Sequence, residues 1–179
     1  MPLPLDDSWI GTDRSALRDG VRLRALPPDE GWRTRAPDLV TITWTCGWGD
    51  RLRYGEPGPV TAARMDAFEH GLTTMIEAQG TGRLMAVAAA GIRRTWYYYA
   101  TDAGAVSRLI EHAINDGRTG SLNVTLRSDP DWSVWSELRA RIALAVVTHV
   151  PDAPADDQRR KVSSVNSTRT DVATGLRQG

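Results

Sequence analysis

Cysteine is nearly missing from this chain of 179 residues. The single one, Cys46, excludes an intrachain disulfide, a thiolate-rich zinc site and a CxxC redox pair, and a reducing compartment is the simplest setting. Lysine is as scarce: Lys161 is the only one and lies in a polar stretch near the C-terminus. A lysine Schiff base, a phosphate-loop lysine and a lysine general base therefore have no candidate in the folded part. The motifs GxSxG and GxGxxG are absent, and Gly47-Trp-Gly and Gly80-Thr-Gly are only two-glycine turns. His70, His112 and His149 show neither HExxH nor related spacing, so neither a metal nor a cofactor is expected. No segment approaches the roughly 20 apolar residues of a membrane span, and Met1-Pro-Leu-Pro-Leu-Asp-Asp has neither the basic start nor the apolar run of a leader; the cytoplasm is the expected location. Net charge is absent too. The 22 basic and 22 acidic side chains cancel, which removes the global footprint of a nucleic-acid or membrane binder.

What is present is a patterned middle. Residues 1–37 are punctuated by Pro2, Pro4, Gly11, Gly20, Pro27, Pro28 and Pro37, too densely for a long element, and read as an N-terminal arm anchored by Trp9 and Trp32. Within it, Val21-Arg-Leu-Arg-Ala-Leu alternates as a short edge strand would. From Leu39, the residues Val40, Ile42, Trp44 and Cys46 alternate with threonines and predict a strand. A helix is predicted from near Thr61 to Gly80, with Met65, Phe68, Leu72, Met75 and Ile76 inward and Asp66, Glu69, His70 and Thr73 outward. Runs from Arg83 to Ala90 and from Arg93 to Thr101, parted by Gly91-Ile92, predict a hairpin.

Asp102 is placed to cap a second helix carrying Val106, Leu109, Ile110, Ala113 and Ile114, ended by Asp116-Gly117. Leu122, Val124 and Leu126 then alternate as a strand. Asp129 and Pro130 are placed as cap and first residue of a last helix bearing Trp132, Trp135, Leu138 and Ile142. The order strand, helix, strand, strand, helix, strand predicts an α+β, ferredoxin-like βαββαβ antiparallel sheet with both helices on one face. The expected organisation is an arm over 1–37, this domain with its Trp-rich terminal helix over 38–150, and a disordered tail over 151–179, where few large apolar groups remain.

Three segments, Ala67-Phe-Glu-His-Gly-Leu, Trp96-Tyr-Tyr-Tyr-Ala-Thr-Asp and Asp129-Pro-Asp-Trp, together resemble bacterial domain-of-unknown-function family 695 and, more distantly, the B-type regulator of ribonuclease E activity. The resemblance spans about 38–140. It implies a ferredoxin-like domain without an assigned activity, and the relation to the regulator implies a protein that works by binding another protein. The chain lacks that regulator's strong net acidity.

The candidate binding residues follow from aromatic content, seven Trp and four Tyr. Trp96 and Tyr98 point to one face of their strand and Tyr97 and Tyr99 to the other, so one pair is expected to meet helices and the other an open face beside Trp44 or the terminal helix. Trp44, Arg93, Arg94, Trp96, Tyr98, Trp132 and Trp135 are the residues through which a protein partner is expected to bind, aromatic rings and arginine being the usual anchors of contact surfaces. Two alternatives use the same residues differently. Single-stranded RNA could stack on the aromatic third strand, although that strand lacks the Gly-aromatic-Gly-Phe-Val pattern of RNA-recognition domains. An enzyme of unrecognised type would need converging polar groups, and Asp129 with Asp131 is better explained by helix capping and the helix dipole. Cys46 alternates with Trp44 and fits the core as readily as a nucleophile's position. A non-enzymatic interaction or regulatory domain is the leading expectation, an inhibitor or immunity-type protein being one form of it.

Overall fold

The computed structural model describes residues 10–11, 21–47, 56–115 and 121–148. They form six strands in one antiparallel sheet and four helices: β1 (Ile10–Gly11), β2 (Arg22–Ala25), α1 (Glu30–Arg35), β3 (Asp38–Thr45), α2 (Pro59–Ala78), β4 (Gly82–Ala90), β5 (Arg93–Ala100), α3 (Ala103–Asn115), β6 (Ser121–Ser128) and α4 (Ser133–Thr148). The strand order across the sheet is β1-β2-β4-β5-β3-β6.

Side-chain alternation decides which helix meets which face. Val40, Ile42 and Trp44 of β3, Trp96, Tyr98 and Ala100 of β5, and Leu84 and Val87 of β4 all project to one side, where Met65, Leu72 and Ile76 of α2 and Val106 and Ile110 of α3 complete the main core. Burying each such aliphatic side chain contributes roughly 1.5–3 kcal/mol relative to exposure. The bulge between Leu84 and Ala86 keeps both flanking stretches of β4 in phase with β5, and it turns Met85 to the opposite face, against Trp32, Trp132 and Trp135. Gly91 opens the two-residue hairpin loop at φ 52°, a left-handed position that glycine takes without steric cost.

The second face is covered in part. α1 and α4 lie on it, with Trp32, Leu39, Tyr99, Trp132 and Trp135 in one cluster and Val21, Leu23, Ala25, Ala86, Leu138 and Ile142 in another. The stretch 1–37, expected as an arm, thus supplies β1, β2 and α1; β2 is an internal strand hydrogen-bonded to both β1 and β4.

Two local expectations change. Glu69, expected outward, is 5% exposed and belongs to the inward stripe Thr61, Met65, Glu69, Leu72, Ile76. Asp129 does cap the last helix, but α4 starts at Ser133; Pro130 and Asp131 form a turn before it, and Trp132 takes φ 56°. Asp102 caps α3 as expected, accepting from the Ala105 N–H at 2.9 Å. The expected stop at Asp116-Gly117 and the expected disordered tail over 151–179 lie outside the described residues, as do Trp9 and His149.

Candidate functional site

Five of the seven residues expected to bind a partner are interior. Trp44, Trp96 and Tyr98 lie beneath α2 and α3, and Trp132 and Trp135 lie under α4 on the other face, all of them buried. Trp44 meets Phe68 edge-on with centroids 5.6 Å apart, and Phe68 leans on Trp96 at 5.3 Å. The Trp96 indole N–H donates to Glu69 Oε2 at 2.7 Å, and Glu69 Oε1 accepts from the Arg24 guanidinium of β2. Arg24 therefore balances a carboxylate that would be costly to bury alone. Tyr98 Oη and Thr73 Oγ1 share a hydrogen bond at 2.8 Å. Burial pushes the Tyr98 phenol well above its usual range, and Glu69 and Glu77 add to this while Thr73 and Arg24 oppose it.

On the other face, Tyr99 donates to Asp129 Oδ2 at 2.6 Å and accepts from the Trp135 backbone N–H at 3.2 Å. Burial pushes the Asp129 carboxyl up but is outweighed by the hydroxyls of Ser133 and Tyr99 and the N–H groups of Ser133 and Val134, which hold it below the usual range. The indole N–H groups of Trp132 and Trp135 donate to the carbonyls of Ala36, at 3.0 Å, and Leu26, at 3.1 Å. Every ring on strand β5 is thus packed against helix residues, Tyr97 being the least covered: it is half-buried against the clusters of Trp135 and of Leu138 and Ile142.

The arginines part company. Arg94 projects to the helix side and pairs with Asp66 of α2 at 2.5 Å. Arg93 is exposed on the opposite face, directly across from Thr45.

That face carries a run of accessible polar groups across β5, β3 and β6. Beyond α4, the cross-strand rows are Tyr97, Thr41, Thr125; then Thr95, Thr43, Asn123; then Arg93, Thr45, Ser121, with Arg127 following Thr125 along β6. Thr41, Thr43, Thr45 and Thr95 are half-buried, whereas Asn123, Thr125 and Arg127 are exposed. Thr43 and Thr95 join hydroxyls at 3.1 Å. Among the described residues, the strands project two guanidinium groups and no carboxylate onto this surface, so it offers hydrogen-bond donors and acceptors under a positive local charge. In the sequence the β3 threonines served only to mark a strand and were assigned no role; their alternation with Val40, Ile42 and Trp44 was the available signal for a polar face.

Among the described residues no three His, Cys, Asp or Glu side chains gather where they could hold a metal ion, and no helix is long and apolar enough to cross a membrane. Cys46 is buried beside the main core. No protein-family model, curated protein or solved structure matches the chain.

Proposed function

We propose that the chain is a non-enzymatic interaction domain, regulatory or inhibitory in kind, that binds an acidic, hydrogen-bonding protein surface. The contact surface is the polar face of β3, β5 and β6, comprising Thr41, Thr43, Thr95, Asn123, Thr125 and Arg127, with Arg93 at its end. One observation carries this reading: among the described residues, the side chains that β3, β5 and β6 project onto this surface beyond Tyr99 include two arginines and a hydroxyl array and no carboxylate, in a chain whose total charge is zero. A locally positive, flat, hydrogen-bonding face complements an acidic one and speeds encounter with it. The buried state of Trp44, Trp96 and Tyr98 leaves no exposed ring pair on β3 and β5 of the kind that stacks RNA bases.

The reading takes the segment 38–128 as a ferredoxin-like βαββαβ unit. In its favour, counting only the strands of this segment, the sheet runs fourth, first, third, second, with α2 and α3 packed on one face. The relation to domain-of-unknown-function family 695 is part of the same proposal. It draws support from the contacts among the three motif segments, in which Glu69 meets Trp96 and Tyr99 meets Asp129.

The test is affinity capture with the native chain, with an Arg127→Glu/Thr125→Glu variant, and with a His112→Ala variant on the far helix. A stoichiometric protein retained by the native chain and by His112→Ala but lost with the β6 variant supports the proposal. No stoichiometric partner, retention that ignores the β6 charges, or retained material released by ribonuclease sinks it.

A further inference from the structure

The two edges of the sheet are built differently. At one end β1 is two residues long, as short as protected edges tend to be. At the other, β6 runs eight residues in unbroken register against β3 and, among the described residues, pairs with no other strand. Its sequence, Ser-Leu-Asn-Val-Thr-Leu-Arg-Ser, holds no proline, no lysine and no bulge, devices that usually guard an open edge, and its one charged residue, Arg127, lies next to the strand's end. Leu126 stands 50% exposed on it. An unguarded row of backbone N–H and C=O groups is a template for another strand.

We propose that β6 pairs with β6 of a second copy of this chain, antiparallel, about a two-fold axis at Val124. The inference is independent of the function proposed above. For the joined sheet to keep its faces, residues opposed across the axis must share a face, which restricts the axis to positions on the strand itself. Centred on Val124, Leu122 faces the partner's Leu126, Val124 faces Val124 of the partner subunit, and Leu126 faces the partner's Leu122. The half-exposed leucine is then covered by a leucine, and all three apolar positions of the strand meet apolar ones.

The neighbouring registers fail this test. An axis at Asn123 sets Leu126 against Gly120 of the partner subunit, and one at Thr125 sets Leu122 against the partner's Ser128. On the other face the Val124 register opposes Asn123 to the partner's Thr125 and Arg127 to the partner's Ser121, so no like charges are placed across from each other. The result is one continuous twelve-stranded sheet.

The experiment uses the full chain and reads mass by sedimentation and register by cysteine crosslinking. The parent, whose only thiol, Cys46, is buried, is the blank. A mass twice 19.7 kDa is expected at micromolar concentration, falling to that of the monomer in Leu126→Lys with circular dichroism unchanged. Under mild oxidation Val124→Cys should crosslink at least roughly tenfold faster than Leu126→Cys despite the greater exposure of Leu126, because only at the axis do like positions approach the roughly 3.5–4.5 Å between Cβ atoms that a disulfide needs. A full chain that stays monomeric, including one whose own residues 149–179 cover the edge, overturns the proposal, and so does a Leu126→Cys chain that crosslinks as fast as Val124→Cys.

Discussion

The ring of Trp132 lies on the ring of Tyr99, centroids 3.8 Å apart and planes within 13° of parallel. To reach that position the Trp132 backbone adopts φ 56°, a left-handed conformation costing a residue with a Cβ about 1–2 kcal/mol. Stacking, full burial and the bond to the Ala36 carbonyl offset that cost. Trp132→Ala should lose about 3–5 kcal/mol of unfolding free energy. Trp132→Gly, which removes the same ring but frees the backbone, should be no worse than alanine and better by about 1 kcal/mol. Urea titration of the two variants distinguishes this from an unstrained site, where glycine would be the worse of the pair.

The Tyr99 hydroxyl ties Asp129 to α4, and its loss should be felt at both ends. Tyr99→Phe leaves the Trp135 N–H without its acceptor and removes one donor from Asp129, for about 1–3 kcal/mol.

Asp129 also predicts an acid dependence. Its folded pKa is lowered from the ordinary 3.8, so its contribution is present above that value and is lost as pH falls through the lowered one. Asp129→Asn should therefore be less stable than the parent at neutral pH, with the gap narrowing as pH falls below 3.8. Glu77 shifts in the opposite sense through burial, but it is common to both chains and cancels in the difference. A gap that stays constant with pH would contradict the assignment.

Arg24 and Glu69 form a pair whose members should be far less dispensable singly than together. Glu69 is buried, while about a quarter of the Arg24 side chain reaches solvent. Arg24→Met strands a buried carboxylate and should cost about 3 kcal/mol, the low end for such pairs because of that exposure. Arg24→Met with Glu69→Met should recover at least half of the loss in a double-mutant cycle, leaving the Trp96 indole N–H as the residual penalty.

Gly82 sits where β4 passes under both helices. A Cβ there would stand 2.9 Å from Ile76 Cγ2 and 3.1 Å from Val106 Cγ2. Gly82→Ala should cost about 1–3 kcal/mol by overpacking, and Gly82→Ala with Ile76→Leu, which removes the β-methyl that the new Cβ meets, should be closer to the parent than Gly82→Ala alone in thermal melts.

How far the sequence reveals this arrangement depends on whether a residue acts alone or through a distant partner. Alternation from Val40 to Cys46 and from Leu122 to Leu126 was enough to find β3 and β6, because one face of each meets a helix and the other, past Leu39, is polar. Glu69 shows the limit. Four residues after Met65 and three before Leu72, it lies on the inward line of α2, but its charge argued for solvent, and only Arg24, 45 residues earlier, makes the inward position tolerable. Residues 1–37 show a related limit: their prolines suggested an arm, and although alternation from Val21 to Leu26 marked a short edge strand, no local signal places that strand inside the sheet, between β1 and β4. The aromatic strand was read as a possible contact surface because its alternation was visible, whereas alternation alone does not say that Trp96 and Tyr98 meet α2 and α3 while α4 covers Tyr99 on the opposite face.

The indoles of Trp132 and Trp135 reach back to main-chain oxygens 96 and 109 residues earlier. During synthesis, then, the first strands leave the ribosome long before the helix that clasps them exists. Until residue 135 emerges, Trp32 and Leu26 have no lid, and the hairpin of β4 and β5 carries one bare greasy side. A chaperone that shields apolar surface would find its longest opportunity in that interval, and a stop codon shortly before Trp132 should yield a product that proteases remove rather than a smaller working domain.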